Sequence, residues 1–134
     1  MTNSSKAHDG GCMCGAVRYR LHHPFTYSAH CHCRSCQRAV GAGYVTYTAV
    51  APENFEVIEG KISIFNSSPG VRRGFCNKCG TSLSYSGDDW TDHAIMSATL
   101  DDPTVAVPTT NAYTKDRQPW VALDKTLKSF RKFP

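Results

Sequence analysis

The seven cysteines of this 134-residue chain occur in three groups, and their spacing limits the possible folds more than any other feature. The groups are, in chain order, Cys12 and Cys14; Cys31, Cys33 and Cys36; Cys76 and Cys79. Seven thiols cannot all pair as disulfides within one chain, and partners in CxC or CxxC spacing would be strained if they did. The same spacings are typical of metal ligands. The pattern therefore predicts a fold organised around bound metal.

Dividing the cysteines into four and three accounts for all of them. A structural zinc takes four protein ligands in a tetrahedron, whereas a catalytic zinc commonly takes three and keeps one exchangeable position. The two outer pairs supply four thiolates and the central group supplies three. We therefore predict two Zn²⁺ per chain, a structural ion on the outer pairs and a catalytic ion on the triplet. The ligands are Cys12, Cys14, Cys76 and Cys79 for the first, and Cys31, Cys33 and Cys36 for the second.

The histidines in HCHCRSC (residues 30–36) raise the alternative of a closed site with three cysteines and one histidine. In an extended strand, successive side chains point to opposite faces. His30 and His32 would then face away from Cys31 and Cys33. The alternation favours the open three-sulfur site.

Most of the chain has the pattern of short strands. AVRYRL (residues 16–21) alternates between Val17, Tyr19 and Leu21 on one face and two arginines on the other. Further strands are predicted at 44–50, 55–60, 61–65, 71–75, 81–85 and 93–100. Short helices are predicted only after Cys36 and at residues 123–130. The fold class is therefore all-β.

Length and composition indicate one domain, which we place at residues 10–134 after a flexible tail at residues 1–9. The first residues lack the apolar segment of a secretory signal, and no apolar run could span a membrane. The formal net charge of +4 falls close to neutral once seven thiolates bind two Zn²⁺, which argues against nucleic acid as a partner. A cytoplasmic protein without membrane or nucleic-acid partners is predicted; the oligomeric state is left open.

Three motifs resemble the glutathione-dependent formaldehyde-activating enzyme family, which also includes the centromere protein V group. They are GGCMCGAVRYRL at the start, CHCRSCQRAVGAGY next and FCNKCGTSLSY after that. A closing segment, residues 111–134, also resembles the family's ending. The chain departs from the family at Asn111, where members often carry a histidine shortly before the aromatic residue that corresponds to Tyr113.

The resemblance implies a β-tent fold, built of short antiparallel sheets organised around zinc sites. It also implies the same division of the cysteines into structural and catalytic groups. The activity it implies is that of a carbon–sulfur lyase that forms or breaks S-(hydroxymethyl)glutathione or a related thiol–aldehyde adduct. A small thiol or aldehyde is then the expected partner, with glutathione as the candidate thiol.

Charged residues near the cysteines suggest where a substrate could bind. Arg34 and Arg38 are candidates to bind substrate carboxylates, because guanidinium groups suit that geometry. Arg72 and Arg73 precede the last cysteine pair and are expected to balance its thiolates. For a proton donor, the candidates are His32, Asp88, Asp89 and His93.

Two functions of other classes fit the same cysteines. One is a non-catalytic zinc module that binds a protein or a nucleic acid, and the other is a thiol carrier or a zinc or redox sensor. The fourth position of the triplet distinguishes them. A protein ligand there favours a module, whereas an exchangeable position favours an enzyme.

Overall fold

The computed structural model describes residues 6 to 133, and two β-sheets dominate it. The strands are β1 (Ala7–Gly11), β2 (Arg18–His22), β3 (Phe25–Cys31), β4 (Val45–Val50), β5 (Phe55–Glu59), β6 (Ser63–Ser68), β7 (Val71–Phe75), β8 (Ser82–Gly87), β9 (His93–Met96), β10 (Thr110–Ala112) and β11 (Lys128–Ser129). One α-helix, α1 (Arg34–Val40), follows β3. Short 3₁₀ turns lie at Pro52–Asn54, Ser97–Thr99, Pro103–Val105 and Thr114–Asp116.

The smaller sheet has three antiparallel strands in the order β1-β2-β5. The larger sheet has eight in the order β11-β10-β3-β4-β9-β8-β7-β6. Its pairing is antiparallel except around β10, which runs parallel to both β3 and β11. Two open sheets, with no closed barrel among residues 6 to 133, confirm the predicted all-β fold class and agree with the β-tent fold.

Each cysteine group lies at the edge of its own hydrophobic core. One core contains Tyr19, Leu21 and Ile95 and includes Cys12 and Cys76. The other core contains Tyr47, Ala49 and Ala94 and includes Cys31 and Cys36. Side chains of β4 and β9 pack into both cores, because successive side chains of a strand point to opposite faces. The larger sheet therefore lies between the two cores and contributes residues to both.

The strand pattern predicted for residues 16–21 is confirmed, with Val17, Tyr19 and Leu21 all buried. The two helix predictions had opposite outcomes. The helix after Cys36 is present as part of α1. The helix at 123–130 is wrong, because that segment forms turns and then β11, which pairs with β10. No helix of the described residues is long and apolar enough to cross a membrane.

The predicted tail overlaps the first strand. Residues 7 to 9 lie in β1, where Asp9 pairs with Arg20 in the sheet register and its carboxylate accepts two hydrogen bonds from the Arg20 guanidinium. Residues 1 to 5 lie outside the described part of the chain. The division at residue 10 stays a prediction.

We expect Gly60→Ala to lower the free energy of unfolding by about 3 kcal/mol or more. Gly60 has a left-handed backbone with φ of +72°, and an added Cβ would lie 2.0 Å from the carbonyl oxygen of Ala16. Gly41→Ala is the matched control, because Gly41 has φ of +67° but open space around it. Gly41→Ala should lower the free energy of unfolding by about 1 kcal/mol, from backbone strain alone. Urea unfolding measures both, and equal losses would contradict the steric argument.

Candidate metal centres

The four-cysteine cluster joins the turn after β1 to the turn after β7. In an extended segment, CxC spacing would place both sulfurs on one side. Cys12 and Cys14 lie instead in a tight turn, in which the amide of Gly15 donates to the carbonyl of Cys12 at 3.1 Å. On the other side, the amide of Gly80 donates to the carbonyl of Cys76 at 2.8 Å, which closes the CxxC turn. Gly15 and Gly80 both have positive φ, as such turns require.

The geometry of this cluster fits a tetrahedral zinc. The four sulfurs all lie within 4.8 Å of one another. The Sγ atoms of Cys12 and Cys14 are 3.6 Å apart, and those of Cys14 and Cys76 are 3.8 Å apart. Thiolates on a tetrahedral zinc lie about 3.8 Å apart when the Zn–S bonds are about 2.3 Å. The cluster can therefore hold a zinc ion without rearrangement of the backbone.

Polar groups around three of the four sulfurs favour thiolates. The amide of Val17 donates to Cys12 Sγ at 3.2 Å, and the amide of Lys78 donates to Cys76 Sγ at 3.4 Å. The Thr81 hydroxyl lies 3.1 Å from Cys79 Sγ. Hydrogen bonding from Thr81 lowers the pKa of Cys79 to about 5. Donors of this kind stabilise the charged form of a metal-binding sulfur.

The triplet forms where β3 ends and α1 begins. Cys31 is the last residue of β3, and Cys33 is the N-cap of α1, with an extended backbone. Its sulfur accepts a hydrogen bond from the amide of Cys36 at 3.3 Å. The first turn of the helix therefore brings Cys36 beside Cys33, while the strand end supplies Cys31. The three sulfurs lie within 4.8 Å of one another, as a shared ion requires.

The proximity of the three thiols suits a bound cation. Hydrogen bonds from the thiols of Cys31 and Cys36 lower the pKa of Cys33 to about 2. The same hydrogen bond with Cys33 raises the pKa of the Cys31 thiol. Three adjacent thiolates repel one another unless a cation lies between them. A divalent soft cation removes the conflict, so the donor set fits zinc.

Among the described residues, neither neighbouring histidine completes the triplet. His30 Nδ1 lies 2.7 Å from the Thr46 hydroxyl, on the opposite face of β3 from Cys31. His32 is buried against the ring of Tyr44, and its Nδ1 has no hydrogen-bond partner. No histidine or carboxylate of residues 6 to 133 groups with the three sulfurs as a fourth ligand. The three sulfurs therefore converge without a histidine among them, and the open catalytic site stays a prediction.

Arg73 lies beside the triplet, where the sequence did not place it. Its Nη1 and Nη2 atoms lie 3.9 and 4.0 Å from Cys36 Sγ. Its guanidinium also lies over the ring of Tyr85, 4.5 Å from the centroid. The expectation that Arg72 and Arg73 both balance the outer cysteine pairs is wrong, because Arg72 instead donates to Asp88 at 2.8 Å. The register of β7 places Arg73 opposite Tyr85, so the proximity of Arg73 to Cys76 along the chain does not decide its contacts.

The other predicted site residues occupy varied positions. Arg34 and Arg38 are exposed on α1, and Arg34 donates to the side chain of Gln37 at 2.7 Å. Their role in substrate binding stays a prediction. His93 stacks on Phe55 in the neighbourhood of the other core, with ring centroids 4.1 Å apart, so it lies away from the triplet.

Asn111, the departure from the family pattern, has a structural position. It is buried in β10, and its amide donates to the carbonyl of Asp124 at 2.9 Å and to the hydroxyl of Ser129 at 3.2 Å. This side chain therefore holds the closing segment against the sheet.

A cavity of about 510 Å³ is lined by tyrosines from the core that contains Cys31 and Cys36, and we call it the aromatic pocket. Its aromatic lining consists of Tyr27, Tyr47, Tyr85, Trp90, Tyr113 and Phe133. The four tyrosines belong to or pack against the core that contains Cys31 and Cys36. Tyr113 is in the left-handed region with φ of 56°, a strained conformation that often marks functional sites. The volume lies in the range of small-molecule sites.

Comparisons with known proteins agree with the motifs. The family model described as "Glutathione-dependent formaldehyde-activating enzyme" matches residues 7–116. A curated Halomonas elongata protein that carries the same family name is 31% identical over 101 residues, which cover 67% of this chain and 64% of that protein. The chain thus spans somewhat less than two thirds of that relative's length.

A solved structure supports the fold independently. The crystal structure of a Rhodobacter sphaeroides protein superposes with a TM-score of 0.59 at 20% identity, over 69% of this chain and 87% of that one. At this identity the similarity shows the fold alone. The family model and the curated relative carry the assignment by sequence. The chain belongs to the glutathione-dependent formaldehyde-activating enzyme family.

Proposed function

We propose that this protein is a zinc-dependent enzyme of the carbon–sulfur lyase type that acts on thiol–aldehyde adducts at the triplet. S-(hydroxymethyl)glutathione or a related adduct of a small carbonyl compound is the substrate. The observation that carries the proposal is a cluster of three convergent sulfurs with no fourth ligand among the described residues, packed in one core with tyrosines that line a cavity. A closed four-ligand module would lack such an exchangeable position.

The two cysteine groups have different roles in this proposal. Cys31, Cys33 and Cys36 hold the catalytic ion, and the four outer cysteines hold the structural one. Zinc held by three thiolates supplies a Lewis acid that keeps a substrate thiol deprotonated near neutral pH. The contact of Arg73 with Cys36 supports this assignment, because a cation offsets the net negative charge of three thiolates around a divalent ion.

The reaction involves no oxidation or reduction. In the forward direction the thiol sulfur forms a bond to the aldehyde carbon, and the carbonyl π electrons move to oxygen. That oxygen takes up one proton, and the thiol has lost one. In the reverse direction the carbon–sulfur bond breaks, its electron pair returns to sulfur, and the carbonyl double bond forms again.

The residues around the triplet would position this reaction. The tyrosines that pack with Cys31 and Cys36 also line the aromatic pocket, and their rings would shield the reacting carbon from bulk water. Confinement of two reactants in one orientation is itself a large source of rate acceleration. We further propose that residues 10–134 act as one domain in the cytoplasm, where the seven free cysteines stay reduced and available to metal.

Exchange NMR tests the activity directly. With zinc-loaded protein, formaldehyde and glutathione or other small thiols, we expect the exchange between free formaldehyde and its hydroxymethyl thiol adduct to accelerate at least about a hundredfold. Because adducts also form without enzyme, the same mixture without protein is the baseline. No acceleration with any thiol, at a measured occupancy of two zinc ions per chain, would overturn the proposal.

A further inference from the structure

The aromatic pocket is built from rings that meet at their edges and faces. The ring centroids of Tyr27 and Tyr47 are 6.0 Å apart at 70°, and those of Tyr27 and Phe133 are 5.5 Å apart at 67°. Trp90 stacks on Tyr85 at 5.1 Å. Such rings offer faces and edges to a further ring, which prefers offset or T-shaped contacts. The pocket therefore suits a flat apolar group.

The charges of the pocket oppose an anionic ligand. Asp89 and Asp92 line it, and its described lining includes no lysine, arginine or histidine. The nearby guanidinium of Arg73 is already engaged with the face of Tyr85 and with Cys36. Three thiolates around a divalent ion add a further negative charge.

Glutathione is a poor match for these surroundings. It carries two carboxylates and one ammonium group at neutral pH, so its net charge is negative. Arg34 and Arg38, the candidates for its carboxylates, are exposed on α1 and are not part of the pocket lining. A carboxylate that entered the pocket would lose hydration without gaining a cationic partner.

We infer that the thiol–aldehyde adduct handled at the triplet is uncharged and carries an aromatic ring, which lies among the rings of the aromatic pocket. The inference rests on the proposed function, because it names the substrate class of that reaction. A cavity of about 510 Å³ has room for one ring together with the reacting carbon and sulfur. The acidic residues then act as specificity determinants that disfavour anionic thiols.

Binding to the zinc-loaded protein provides a test that does not depend on turnover. Calorimetric titration should give a dissociation constant for benzyl mercaptan at least about tenfold lower than that for glutathione. Trp90→Leu should raise the dissociation constant for benzyl mercaptan at least about fivefold and leave that for glutathione unchanged. Trp120→Leu is the matched control, since Trp120 is 72% exposed and lies outside the pocket. If Trp90→Leu disturbs the near-UV circular dichroism, Phe133→Leu replaces it.

A charge variant tests the second half of the inference. Asp92→Asn keeps the side-chain size and should raise the affinity for glutathione about threefold to tenfold, with no change for benzyl mercaptan. Glu53→Gln, which removes an exposed carboxylate outside the pocket, should change neither affinity. Unchanged glutathione binding in Asp92→Asn would contradict the role of the acidic lining.

Exchange NMR on the same two thiols separates this inference from the proposed function. Faster exchange of the benzyl mercaptan adduct supports both. Exchange at least tenfold faster with glutathione overturns the inference and leaves the proposed function intact. Tight, Trp90-dependent binding of benzyl mercaptan without exchange of any adduct overturns the proposed function and leaves the pocket as an aromatic binding site.

Discussion

Replacing Cys36 with serine is expected to lower the zinc content from two ions to one per chain and to abolish adduct exchange, while the fold remains. A serine hydroxyl is not ionised near neutral pH and is a poor zinc ligand, so the triplet would keep only two thiolates. The rest of the core at Cys36 should tolerate the change, because serine and cysteine differ little in shape. Elemental analysis of the purified protein measures the zinc, and far-UV circular dichroism checks the fold.

Ser35→Ala is the matched control for this experiment. Ser35 is an exposed neighbour on the same helical turn. The Ser35→Ala variant should keep two zinc ions per chain and full exchange activity. Two zinc ions retained in Cys36→Ser would refute the assignment of Cys36 as a ligand. One zinc ion with full exchange activity would refute the catalytic role of the triplet.

Replacing Cys76 with serine is expected to cause the largest loss of stability among the single changes considered. The four-cysteine cluster ties the turn after β1 to the start of the β7–β8 connection, across a long loop of chain. Zinc that binds only the folded state adds its binding free energy to folding. Loss of one of four thiolates should lower the free energy of unfolding by more than about 4 kcal/mol. The melting temperature should then fall by about 10 °C or more.

Cys36→Ser serves as the comparison for this second change. Both variants replace one cysteine that is almost fully buried, with exposed fractions of 1% at Cys76 and 2% at Cys36. Each is expected to lose one zinc ion, but only Cys76→Ser should melt far below the parent protein. Thermal unfolding followed by circular dichroism, at equal protein and zinc concentrations, measures the difference. Equal melting temperatures in the two variants would contradict the division into structural and catalytic groups.

Local patterns predicted much of the fold because they reflect short-range geometry. The alternation at residues 16–21 predicted which side of β2 is buried. The helix predicted at 123–130 failed for the opposite reason. Its residues are compatible with a helix, but pairing of β11 with β10 and the hydrogen bonds from Asn111 hold the segment extended. Tertiary contacts override weak local preferences.

Long-range juxtapositions could not be predicted in this way. β10 lies parallel to β3, with Ala112 opposite Cys31, and this register brings the neighbouring Tyr113 to the triplet. Arg73 lies three residues before Cys76, yet its guanidinium contacts Cys36. Strand order and register decide both contacts, and neither leaves a signal in the residues themselves.

The sequence alone predicted which cysteines form the two clusters that could hold metal. Sulfurs in CxC and CxxC spacing are brought together by one or two local turns, so the two outer pairs and the triplet each form by short-range backbone geometry. The tertiary structure brings the two outer pairs together, because 61 residues separate Cys14 from Cys76. The tertiary structure decided what surrounds the three-sulfur cluster. The rings that form the aromatic pocket come from positions as distant as Tyr27 and Phe133. They meet only because the eight-stranded sheet brings β3, β4, β8 and the closing segment together, and that long-range packing sets the shape and charge of the pocket.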